Sequence, residues 1–372
     1  MRIATFNVEN LFDRARALDL GSWMAGRPIL EAHAQLNALF QEATYTAARK
    51  RRILELLETL GLLRSDSSEF AWLRVVRGRL LRRPRDGGAE VVANGRADWV
   101  GWVELTTEPT DELALRHTAM VVRDVAADVL GVVEADDRPT LQRFSDRLLA
   151  DVGGTPYEQA VLVDGNDDRG IDVGVLVRAP YGVHHIRTHV FDRDGDGVVF
   201  SRDCCEYHLS TPDGQPLAVL VNHFKSKGYS EPGDRLGADR RRRQASRVGE
   251  IYRGLRDEGI DRVAIVGDLN DQADSAALAP LFDGIDLRDI SEHADFEFGE
   301  RRGTFQGGNE SSRLDYVLLS PALFERATGG AIFRKGVWHG PRTSNPWQMY
   351  ETLTAEVHAA SDHAAIYADI EL

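Results

Sequence analysis

Residues 263–271 read Val-Ala-Ile-Val-Gly-Asp-Leu-Asn-Asp, and this stretch carries the clearest fold signal in the chain. The apolar run Val263–Val266 predicts a buried strand, and Gly267 allows the backbone to turn where that strand ends. Asp268 and Asn270 then point to the same side of the chain. An aspartate in that position can orient and deprotonate an attacking water, and the neighbouring asparagine can donate to negative charge that develops during a reaction.

Short apolar strands of this kind recur along the chain and are mixed with amphipathic helices. The other predicted strands are Ile3–Val8, Val129–Val133, Asp172–Val177, Ala218–Val221, Tyr316–Leu319 and Ala364–Ile370. The predicted helices are Ala47–Leu62, Glu112–Ala127, Pro139–Ala150 and Asp239–Glu258. Strands and helices that alternate over the whole length predict an α/β architecture.

The first two predicted strands end in oxygen-bearing side chains. Asn7 and Glu9 are two residues apart, so both point to one side at the end of the first strand. The second strand runs directly into Glu134, at a sheet edge where α/β proteins tend to bind ligands. Hard cations such as Mg²⁺ take oxygen ligands of these kinds. A turn at Asn7 and a solvated side chain at Glu134 are the alternative interpretations.

Histidines and aspartates flank three further strands. His223 follows an apolar strand and could protonate a leaving oxygen or hydrogen-bond to a phosphate, although a single histidine is more often structural. Asp315 begins a strand, and His363 precedes the last one. A carboxylate that contacts an imidazole fixes its tautomer and stabilises the protonated ring, so we expect Asp315 to orient His363. Asp362 would then be available to join Glu134 near a metal ion.

Composition and charge exclude some classes of protein. The formal charge of −14 argues against a general nucleic-acid-coating protein, but not against an enzyme that meets phosphate at one site. We interpret the basic runs at 49–52, 79–85 and 240–243 as solvated faces. The sequence has no run of about 20 apolar residues, which is the length that a transmembrane helix requires. Because no signal peptide precedes the first strand and Cys204 and Cys205 are adjacent, we expect a cytoplasmic protein without a disulfide framework.

Residues from about 14 to 118 carry few candidate functional side chains. They predict a helix followed by a hairpin, in which Trp72–Leu81 pairs with Glu90–Leu105 across the turn-rich residues 83–88. We interpret this stretch as an insertion in a single domain that spans residues 1–372. The sequence predicts no protein partner and does not indicate what the insertion does.

The acidic loop Asp192–Asp203 partly matches a calcium-binding loop. Acidic residues stand at its first, third and fifth positions, glycine follows at the sixth, and Asp203 stands at the twelfth. Calcium loops use a bidentate glutamate at the twelfth position and lie between two helices. This loop has an aspartate at that position and no flanking helices in the predicted structure. We therefore expect an Asp/Gly turn, with bound Ca²⁺ as the alternative.

Six of these segments, taken in order, resemble the motifs of the endonuclease/exonuclease/phosphatase superfamily, which includes deoxyribonucleases, abasic-site endonucleases, neutral sphingomyelinases and inositol polyphosphate phosphatases. The matching segments are Phe-Asn-Val-Glu at 6–9, the strand that ends in Glu134, Asn-His at 222–223, Gly-Asp-Leu-Asn at 267–270, Arg-Leu-Asp-Tyr at 313–316 and Ser-Asp-His at 361–363. Each segment alone is weak, but six in this order are specific. The resemblance implies a four-layer sandwich of two packed mixed β-sheets flanked by helices.

The resemblance also implies a role for each candidate residue. The ligands of a magnesium ion, or of Mn²⁺ in its place, would come from Asn7, Glu9, Glu134 and Asp362. The catalytic set would be His223, Asp268, Asn270, Asp315 and His363, with Asp172 as the carboxylate behind His223. The substrate-binding set would be Asn7, Asn270, Arg202 and Arg169, with Arg202 as the cationic clamp. A bidentate arginine suits the oxygens of a phosphodiester better than a lysine does.

We therefore expect a divalent-metal-dependent phosphoester hydrolase, and a nuclease-type phosphodiesterase that uses in-line attack by water is the first choice. Nucleic acid is then the expected substrate. Abasic-site endonucleases carry a lysine shortly after the metal-binding glutamate, but here Ala-Asp-Asp follows Glu134 at 135–137. This difference argues against abasic-site specificity. His223 favours the deoxyribonuclease-like or sphingomyelinase-like members. Sphingomyelinase-like and phosphomonoesterase activities are alternatives, as is a scaffold without catalysis, which would be expected to have lost part of the catalytic set.

Overall fold

Short apolar segments pair into two mixed β-sheets in the computed structural model of the chain, which describes residues 1–11, 15–19, 23–85, 88–107, 111–167, 169–228, 233–340 and 346–372. The strands are β1 Arg2–Leu11, β2 Ala71–Gly78, β3 Leu81–Arg82, β4 Glu90–Val91, β5 Trp99–Leu105, β6 Val129–Ala135, β7 Gln159–Val163, β8 Asp172–Val177, β9 Gly182–Arg187, β10 Arg193–Asp194, β11 Gly197–Val198, β12 Cys204–Ser210, β13 Leu217–His223, β14 Arg262–Asp268, β15 Arg288–Asp289, β16 Phe296–Glu297, β17 Asp315–Leu319, β18 Ala327–Phe333 and β19 Ala365–Ile370. Each of the seven strands predicted from the sequence is present.

The helices are α1 Trp23–Phe40, α2 Ala47–Thr59, α3 Glu112–Val125, α4 Arg138–Arg143, α5 Ala238–Asp257, α6 Ala279–Phe282 and α7 Pro321–Phe324. A π-helical turn at Phe144–Leu149 continues α4. Single 3-10 turns lie at Arg16–Asp19, Arg235–Gly237, Ile290–Glu292, Glu310–Ser312 and Glu356–His358. No helix in the described ranges combines the length and the apolar character that crossing a bilayer requires.

The chain divides into two compact units. The main unit consists of Met1–Phe12 with Thr110–Leu372, and the insertion unit consists of Asp13–Pro109. The predicted insertion ran to about residue 118, but α3 begins at Glu112 and packs on β1 and β19 in the main unit. Because the apolar face of this helix packs in the main unit, the insertion unit ends before the helix, earlier in the chain than predicted. That the chain functions as a single domain remains a prediction.

The main unit contains the two large sheets. The first has the strand order β16-β18-β19-β1-β6-β8-β7, and the second has the order β15-β17-β14-β13-β12-β9. Their inner faces share one apolar core, to which the first sheet contributes Ile3, Val129, Val133, Val173 and Val175, and the second contributes Val219, Val221, Val266 and Val317. This face-to-face packing is the predicted pair of mixed sheets.

Helices cover the outer faces of both sheets. Val122 of α3 belongs to the same apolar cluster as Leu130 on the outer face of the first sheet. Tyr252 of α5 belongs to a separate cluster with Ile265 on the outer face of the second sheet. The main unit is therefore a four-layer α/β sandwich, as the sequence predicts.

The insertion unit has a core of its own. β2 pairs antiparallel with β5, and β3 pairs with β4. Phe40 of α1 packs edge-on against Trp99 of β5, with ring centroids 4.5 Å apart. The side chain of Asn37 exchanges hydrogen bonds of 2.8 and 2.9 Å with the backbone of Val103, so α1 satisfies polar groups at the edge of β5. The sequence analysis predicted one helix in this region, and the structure has α1 in addition to α2.

The two sheets lie close together at Gly131 of β6. A Cβ atom at this position would lie 2.7 Å from a methyl group of Val266 and 3.4 Å from the methyl groups of Val221. Both valines are fully buried in the second sheet. A larger residue at 131 would therefore force the sheets apart or displace side chains that have no free space.

Replacing Gly131 by alanine should lower the free energy of unfolding by about 1–3 kcal/mol, because the added methyl overpacks the core between the sheets. Urea denaturation followed by circular dichroism measures this loss. Gly254→Ala is the matched control, since no atom lies within 4 Å of its added Cβ and the residue is inside α5. The control should be as stable as the parent or more stable by up to about 1 kcal/mol. Equal stability of the two variants would contradict the close packing at Gly131.

Candidate active site

The alternation that builds the sheet core also brings polar side chains to one end of it. Residues 217, 219 and 221 of β13 point into the core, and His223 continues that row. The inward rows of β14 and β17 continue in the same way to Asp268 and Asp315. Strand pairing places His223 opposite Asp268, and Asp268 opposite Asp315. These three side chains therefore lie side by side where the apolar core ends.

Unusual backbone conformations turn further side chains toward this edge. The φ angle is 46° at Glu9, 67° at Glu134 and 54° at Asn270, all in the left-handed region. Gly267 has a φ of 137°, and a Cβ there would lie 1.9 Å from the carbonyl oxygen of Asn222. A left-handed non-glycine residue costs about 1–3 kcal/mol and persists where surrounding structure enforces it, often at functional sites. The ends of β1, β6 and β14 thus all bend where the candidate residues lie.

Asn7 connects carboxylates from the two sheets. Its Nδ2 lies 3.1 Å from Glu134 Oε1 and 3.4 Å from Asp268 Oδ2. Its Oδ1 accepts a hydrogen bond of 3.2 Å from the backbone N–H of Glu9. Glu134 belongs to β6 of the first sheet, and Asp268 belongs to β14 of the second. The candidate site therefore spans the boundary between the sheets.

His223 is a buried, neutral imidazole. Its Nε2 lies 3.6 Å from Glu134 Oε1 and 3.7 Å from Asp268 Oδ2. Burial lowers the pKa of His223 well below its ordinary value, and the positive charge of Arg202 lowers it further. Within the described residues, its Nδ1 has no hydrogen-bond partner. A neutral ring can donate from Nε2 to an oxygen between these carboxylates.

His363 is the opposite case, an imidazole that carries a positive charge. Its Nδ1 lies 2.8 Å from Asp315 Oδ2, and its Nε2 lies 3.8 Å from Asp268 Oδ2. Burial alone would lower the pKa of His363, but the negative charges of Asp315 and Asp268 outweigh it and hold the pKa well above its ordinary value. The ring of Phe305 covers the imidazole, with centroids 4.9 Å apart. The contact expected between Asp315 and His363 is present.

Asp268 is the carboxylate between the two histidines. Its Oδ1 accepts from the backbone N–H of Asn270 at 2.8 Å, and its Oδ2 accepts from Asn270 Nδ2 at 3.1 Å. Burial raises the pKa of Asp268 to about 7, and the charge of Asp315 adds to the shift while that of His363 opposes it. A carboxylate with a pKa near neutrality can accept a proton from water. Asn270 also donates to the carbonyl of Phe224 at 3.2 Å, so its amide positions Asp268 in this structure.

Asp362 and Glu9 complete an acidic group beside Glu134. The backbone N–H of Asp362 donates to Glu9 Oε2 at 2.8 Å. Burial raises the pKa of Asp362 to about 7, and the negative charges of Glu9 and Glu134 raise it further, against the opposing charge of His363. These carboxylates repel one another. A cation among them would relieve that repulsion.

Two donor sets at this edge could hold a divalent metal ion. Asp268, Asp315 and His363 bring one ligand atom each within 4.8 Å of one another. A metal ligand must be deprotonated, however, and the negative charges of Asp315 and Asp268 favour the protonated form of His363. The set of Asn7, Glu9, Glu134 and Asp362 offers only oxygen ligands on mutually repelling carboxylates and an amide. That chemistry fits a hard cation such as Mg²⁺ or Mn²⁺ better.

Two arginines lie beside the acidic residues and share a carboxylate. Arg202 is buried, and its Nε lies 3.0 Å from Asp167 Oδ2 while Nη1 donates to the carbonyl of Phe224 at 3.3 Å. Arg169 donates hydrogen bonds of 2.9 and 2.8 Å to the two carboxylate oxygens of Asp167. Burial opposes ionisation of Asp167, but Arg169 and Arg202 hold its pKa below the ordinary value. Asp167 is thus a positioning residue that the sequence analysis missed.

Asp172 does not pair with His223, contrary to the role expected for it. Its Oδ1 accepts a hydrogen bond of 2.8 Å from the backbone N–H of Gly165, so the carboxylate stabilises the turn between β7 and β8. Burial raises the pKa of Asp172 to about 7. The Nδ1 of His223 has no partner in the described part of the chain. Sequence position alone placed Asp172 near the site but could not predict which way its side chain turns.

The Asp192–Asp203 loop is a β-hairpin built from β10 and β11. Asp192 Oδ2 lies 2.7 Å from Arg247 Nε, and Asp194 pairs with Arg243. Asp203 accepts hydrogen bonds from the backbone N–H of His189 and from the hydroxyl of Thr188, both at 2.8 Å. The carboxylates of Asp192, Asp194 and Asp203 are therefore engaged by protein donors, whereas Asp196 is exposed. The calcium interpretation is not supported, and the turn is the observed structure.

Thr304 is a second residue that the sequence analysis missed. Its hydroxyl accepts hydrogen bonds of 3.1 Å from the backbone N–H groups of Leu314 and Asp315. The adjacent Phe305 forms a β-bridge with His363. Thr304 thus connects the loop that covers the histidine to the start of β17. A single threonine in a loop gives no local signal for such a role.

Comparison with known proteins identifies the family. The model described as "Endonuclease/Exonuclease/phosphatase family" matches residues 94–363. The chain belongs to this family. Its members hydrolyse phosphoester bonds, which agrees with the resemblance found in the sequence. The match covers His223, Asp268 and His363 but not Asn7 or Glu9, which lie before it.

Several solved structures are similar to this chain at low sequence identity. A mannosyl-6-phosphatase of Bacteroides thetaiotaomicron VPI-5482 is 15% identical, with a TM-score of 0.50 over 70% of this chain and 92% of that chain. Truncated TDP2 of Caenorhabditis elegans is 18% identical, with a TM-score of 0.46 over 69% and 90% of the two chains. A protein of unknown function from Enterococcus faecalis V583 is 13% identical, with a TM-score of 0.49 over 69% and 90%. No curated protein sequence matches the chain.

Replacing Asp315 by asparagine should lower the pKa of His363 toward or below about 6.5, the ordinary value for histidine. The substitution removes the nearest negative charge while the burial that disfavours the charged ring remains. Titration of the imidazole resonances by NMR measures this change. His117, which bonds to Thr352 and to the backbone of His358, is an internal control whose titration should not move. An unchanged midpoint for His363 would mean that Asp315 does not set its charge.

Proposed function

We propose that this chain is a divalent-metal-dependent phosphodiesterase of nuclease type, which uses in-line attack by water. The observation that carries the proposal is one buried carboxylate flanked by two histidines, one neutral and one positively charged. Asp268 Oδ2 lies 3.7 Å from Nε2 of neutral His223 and 3.8 Å from Nε2 of charged His363. Groups whose environments push their pKa values apart are typical of acid–base catalysis.

Asp268 is the proposed group that orients the attacking water and accepts its proton. Its raised pKa suits proton transfer near neutral pH. Asn270 holds the carboxylate in place through two hydrogen bonds. A direct contact between the Asn270 amide and the substrate is a further part of the proposal.

The two histidines and Arg202 are proposed to bind the phosphoester group. Charged His363 can donate a hydrogen bond from Nε2 to a phosphate oxygen and stabilise the charge that grows there. Neutral His223 can donate to a second oxygen without adding charge. Arg202, held by Asp167, supplies a fixed cation on the same side as His223. Arg169 reinforces that position by binding the same carboxylate.

Asn7, Glu9, Glu134 and Asp362 are the residues that would hold the metal ion. When bound, Mg²⁺ or Mn²⁺ would neutralise negative charge on the phosphoester and strengthen its electrophilic character. Asn7 would contribute its Oδ1, which in this structure accepts from the backbone N–H of Glu9, while its Nδ2 lies between Glu134 and Asp268.

A phosphodiester is favoured over a phosphomonoester because a histidine stands at position 223. Resemblance to the deoxyribonuclease-like members of the superfamily supports this choice, and nucleic acid is accordingly the proposed substrate. Sphingomyelinase-like and phosphomonoesterase activities are the alternatives that a substrate panel distinguishes. A scaffold without catalysis is disfavoured, because the carboxylates, the asparagine and the histidines of the catalytic set are all retained and lie together.

Asp268→Ala and His363→Ala should each lower the rate of phosphodiester hydrolysis with Mg²⁺ by a factor on the order of 10²–10⁴, as expected for loss of a general acid or base. Hydrolysis of bis(p-nitrophenyl) phosphate measures this, with p-nitrophenyl phosphate run in parallel as the monoester. Asp196→Ala is the control, since Asp196 is exposed in the β10–β11 turn. Equal diester rates in all four proteins would refute the proposal, and a preference for the monoester would favour a phosphomonoesterase.

Millimolar Mg²⁺ should raise the thermal midpoint of unfolding, and more strongly at about pH 8 than at about pH 5.5. Burial holds the pKa of Asp268 and Asp362 at about 7, above the value in the unfolded chain. The metal-free protein therefore loses stability as the pH rises from about 4 to about 7, and a bound cation offsets that loss. Glu134→Ala should abolish the Mg²⁺ effect in scanning fluorimetry, whereas Glu292→Ala, on the surface, should retain it. A shift that persists in Glu134→Ala would place the metal elsewhere.

A further inference from the structure

The insertion unit differs in charge from the rest of the chain. Residues 13–109 carry 15 lysine and arginine against 13 aspartate and glutamate side chains, a net charge of +2. The remaining residues carry 30 against 46, a net charge of −16. Within the insertion unit, residues 74–85 contain six arginines and no acidic residue. A basic segment on an otherwise acidic protein attracts polyanions at that place.

The β2–β5 ribbon carries two exposed indoles on one face. Leu73 and Val103 point into the core of the insertion unit. On the opposite face, Trp72 is 42% exposed and Trp102 is 45% exposed. Strand pairing places Trp102 opposite Arg74, so the two tryptophans and this arginine share that face. Contiguous exposed apolar surface rimmed by polar residues is typical of binding sites.

Arg74 fixes the centre of this face. Its guanidinium lies over the ring of Trp72, 5.0 Å from the centroid. The same side chain forms an ion pair with Glu104 on the neighbouring strand. The charge of Glu104 is therefore compensated by Arg74, and the two indoles lie on either side of this ion pair. We call Trp72, Arg74, Arg77 and Trp102 the tryptophan–arginine face.

Further arginines extend the positive charge along the ribbon. Arg77 lies opposite Val100 on the same face of the β2–β5 ribbon. Arg79, Arg82 and Arg85 are exposed around the β3–β4 pair that follows it. Arg82 pairs with Glu90, so the cation there is partly compensated. The face thus combines aromatic surfaces with cations along one short ribbon.

We propose that the tryptophan–arginine face binds single-stranded nucleic acid. Bases would stack on Trp72 and Trp102, while Arg77, Arg79 and Arg85 would contact the phosphates. The choice of ligand rests on the nuclease-type function proposed above. A lipid surface fits less well, because the Arg74–Glu104 ion pair interrupts the apolar surface between the indoles. Val75 and Val76 are exposed nearby, however, so anionic vesicles are included in the test.

The test is the affinity of the full chain for a fluorescein-labelled oligothymidylate of about twenty nucleotides. Fluorescence anisotropy is measured in EDTA, so that no hydrolysis occurs. Trp102→Ala should weaken binding by roughly five- to a hundredfold, as expected for loss of one stacking platform. Arg77→Ala should reduce the slope of log affinity against log salt by about 0.7. Because both side chains are exposed, the variants should unfold at the same temperature as the parent.

Matched controls come from the same unit. Met24→Ala removes an exposed apolar side chain from α1, and Arg27→Ala removes an exposed arginine there; both should bind like the parent. The proposal would be overturned if all variants bound the oligonucleotide with equal affinity, or if the parent did not bind it. It would also be overturned if the protein bound only to vesicles of phosphatidylcholine with phosphatidylserine. Hydrolysis of bis(p-nitrophenyl) phosphate tests the proposed function separately, because that small diester does not need the face. Trp102→Ala should leave its rate unchanged.

Discussion

A hydrogen-bonding amide at the boundary of two sheets is the contact around which the candidate site is organised. Asn7 belongs to the first sheet, and its Nδ2 lies within 3.4 Å of carboxylates from both sheets, Glu134 and Asp268. This geometry exists only while the sheets pack face to face at the spacing that Gly131 allows. The apolar core and the polar site are therefore two parts of one constraint. Side chains that alternate inward make the core until each strand ends, and polar residues occupy the next inward position.

The cost of that arrangement is the burial of charge. Asp268, Asp315 and His363 are all buried, and isolated ions in such a place would be strongly unfavourable. The structure compensates with the Asp315–His363 pair and with the hydrogen bonds from Asn270. It leaves the acidic residues around Glu134 only partly compensated, and their charge adds to the effect of burial in raising the pKa of Asp362. A binding site for a cation is what such residual repulsion favours.

Much of the main unit could be predicted from the sequence because its signals are local. Continuous apolar runs mark the strands that are buried on both faces, and a polar residue at the end of such a run marks the site edge. The contact between Asp315 and His363 could be expected because a carboxylate and an imidazole are chemically complementary. The order of the motifs along the chain, which resembles that of the family, supported the same pairing. The catalytic roles themselves remain predictions.

What the sequence could not reveal depends on loop conformation and on distant backbone groups. Asp172 turns to the backbone of Gly165, and Asp167 binds two arginines instead of solvent. Thr304 accepts from the backbone of β17, a contact without any pattern in the sequence. Helix α1 contains Pro28, which disfavours a helix locally, and packing against the insertion unit's own strands overrides it.

The divalent cation proposed above would lie between the ends of β1 and β6 and the segment before β19. Anomalous diffraction from crystals of the protein loaded with Mn²⁺ tests it most directly. We expect one peak among the side-chain oxygens of Asn7, Glu134 and Asp362, with His363 still hydrogen-bonded to Asp315. A peak bound to His363 and Asp315, with their hydrogen bond broken, would contradict it, as would manganese bound only on the outer surface.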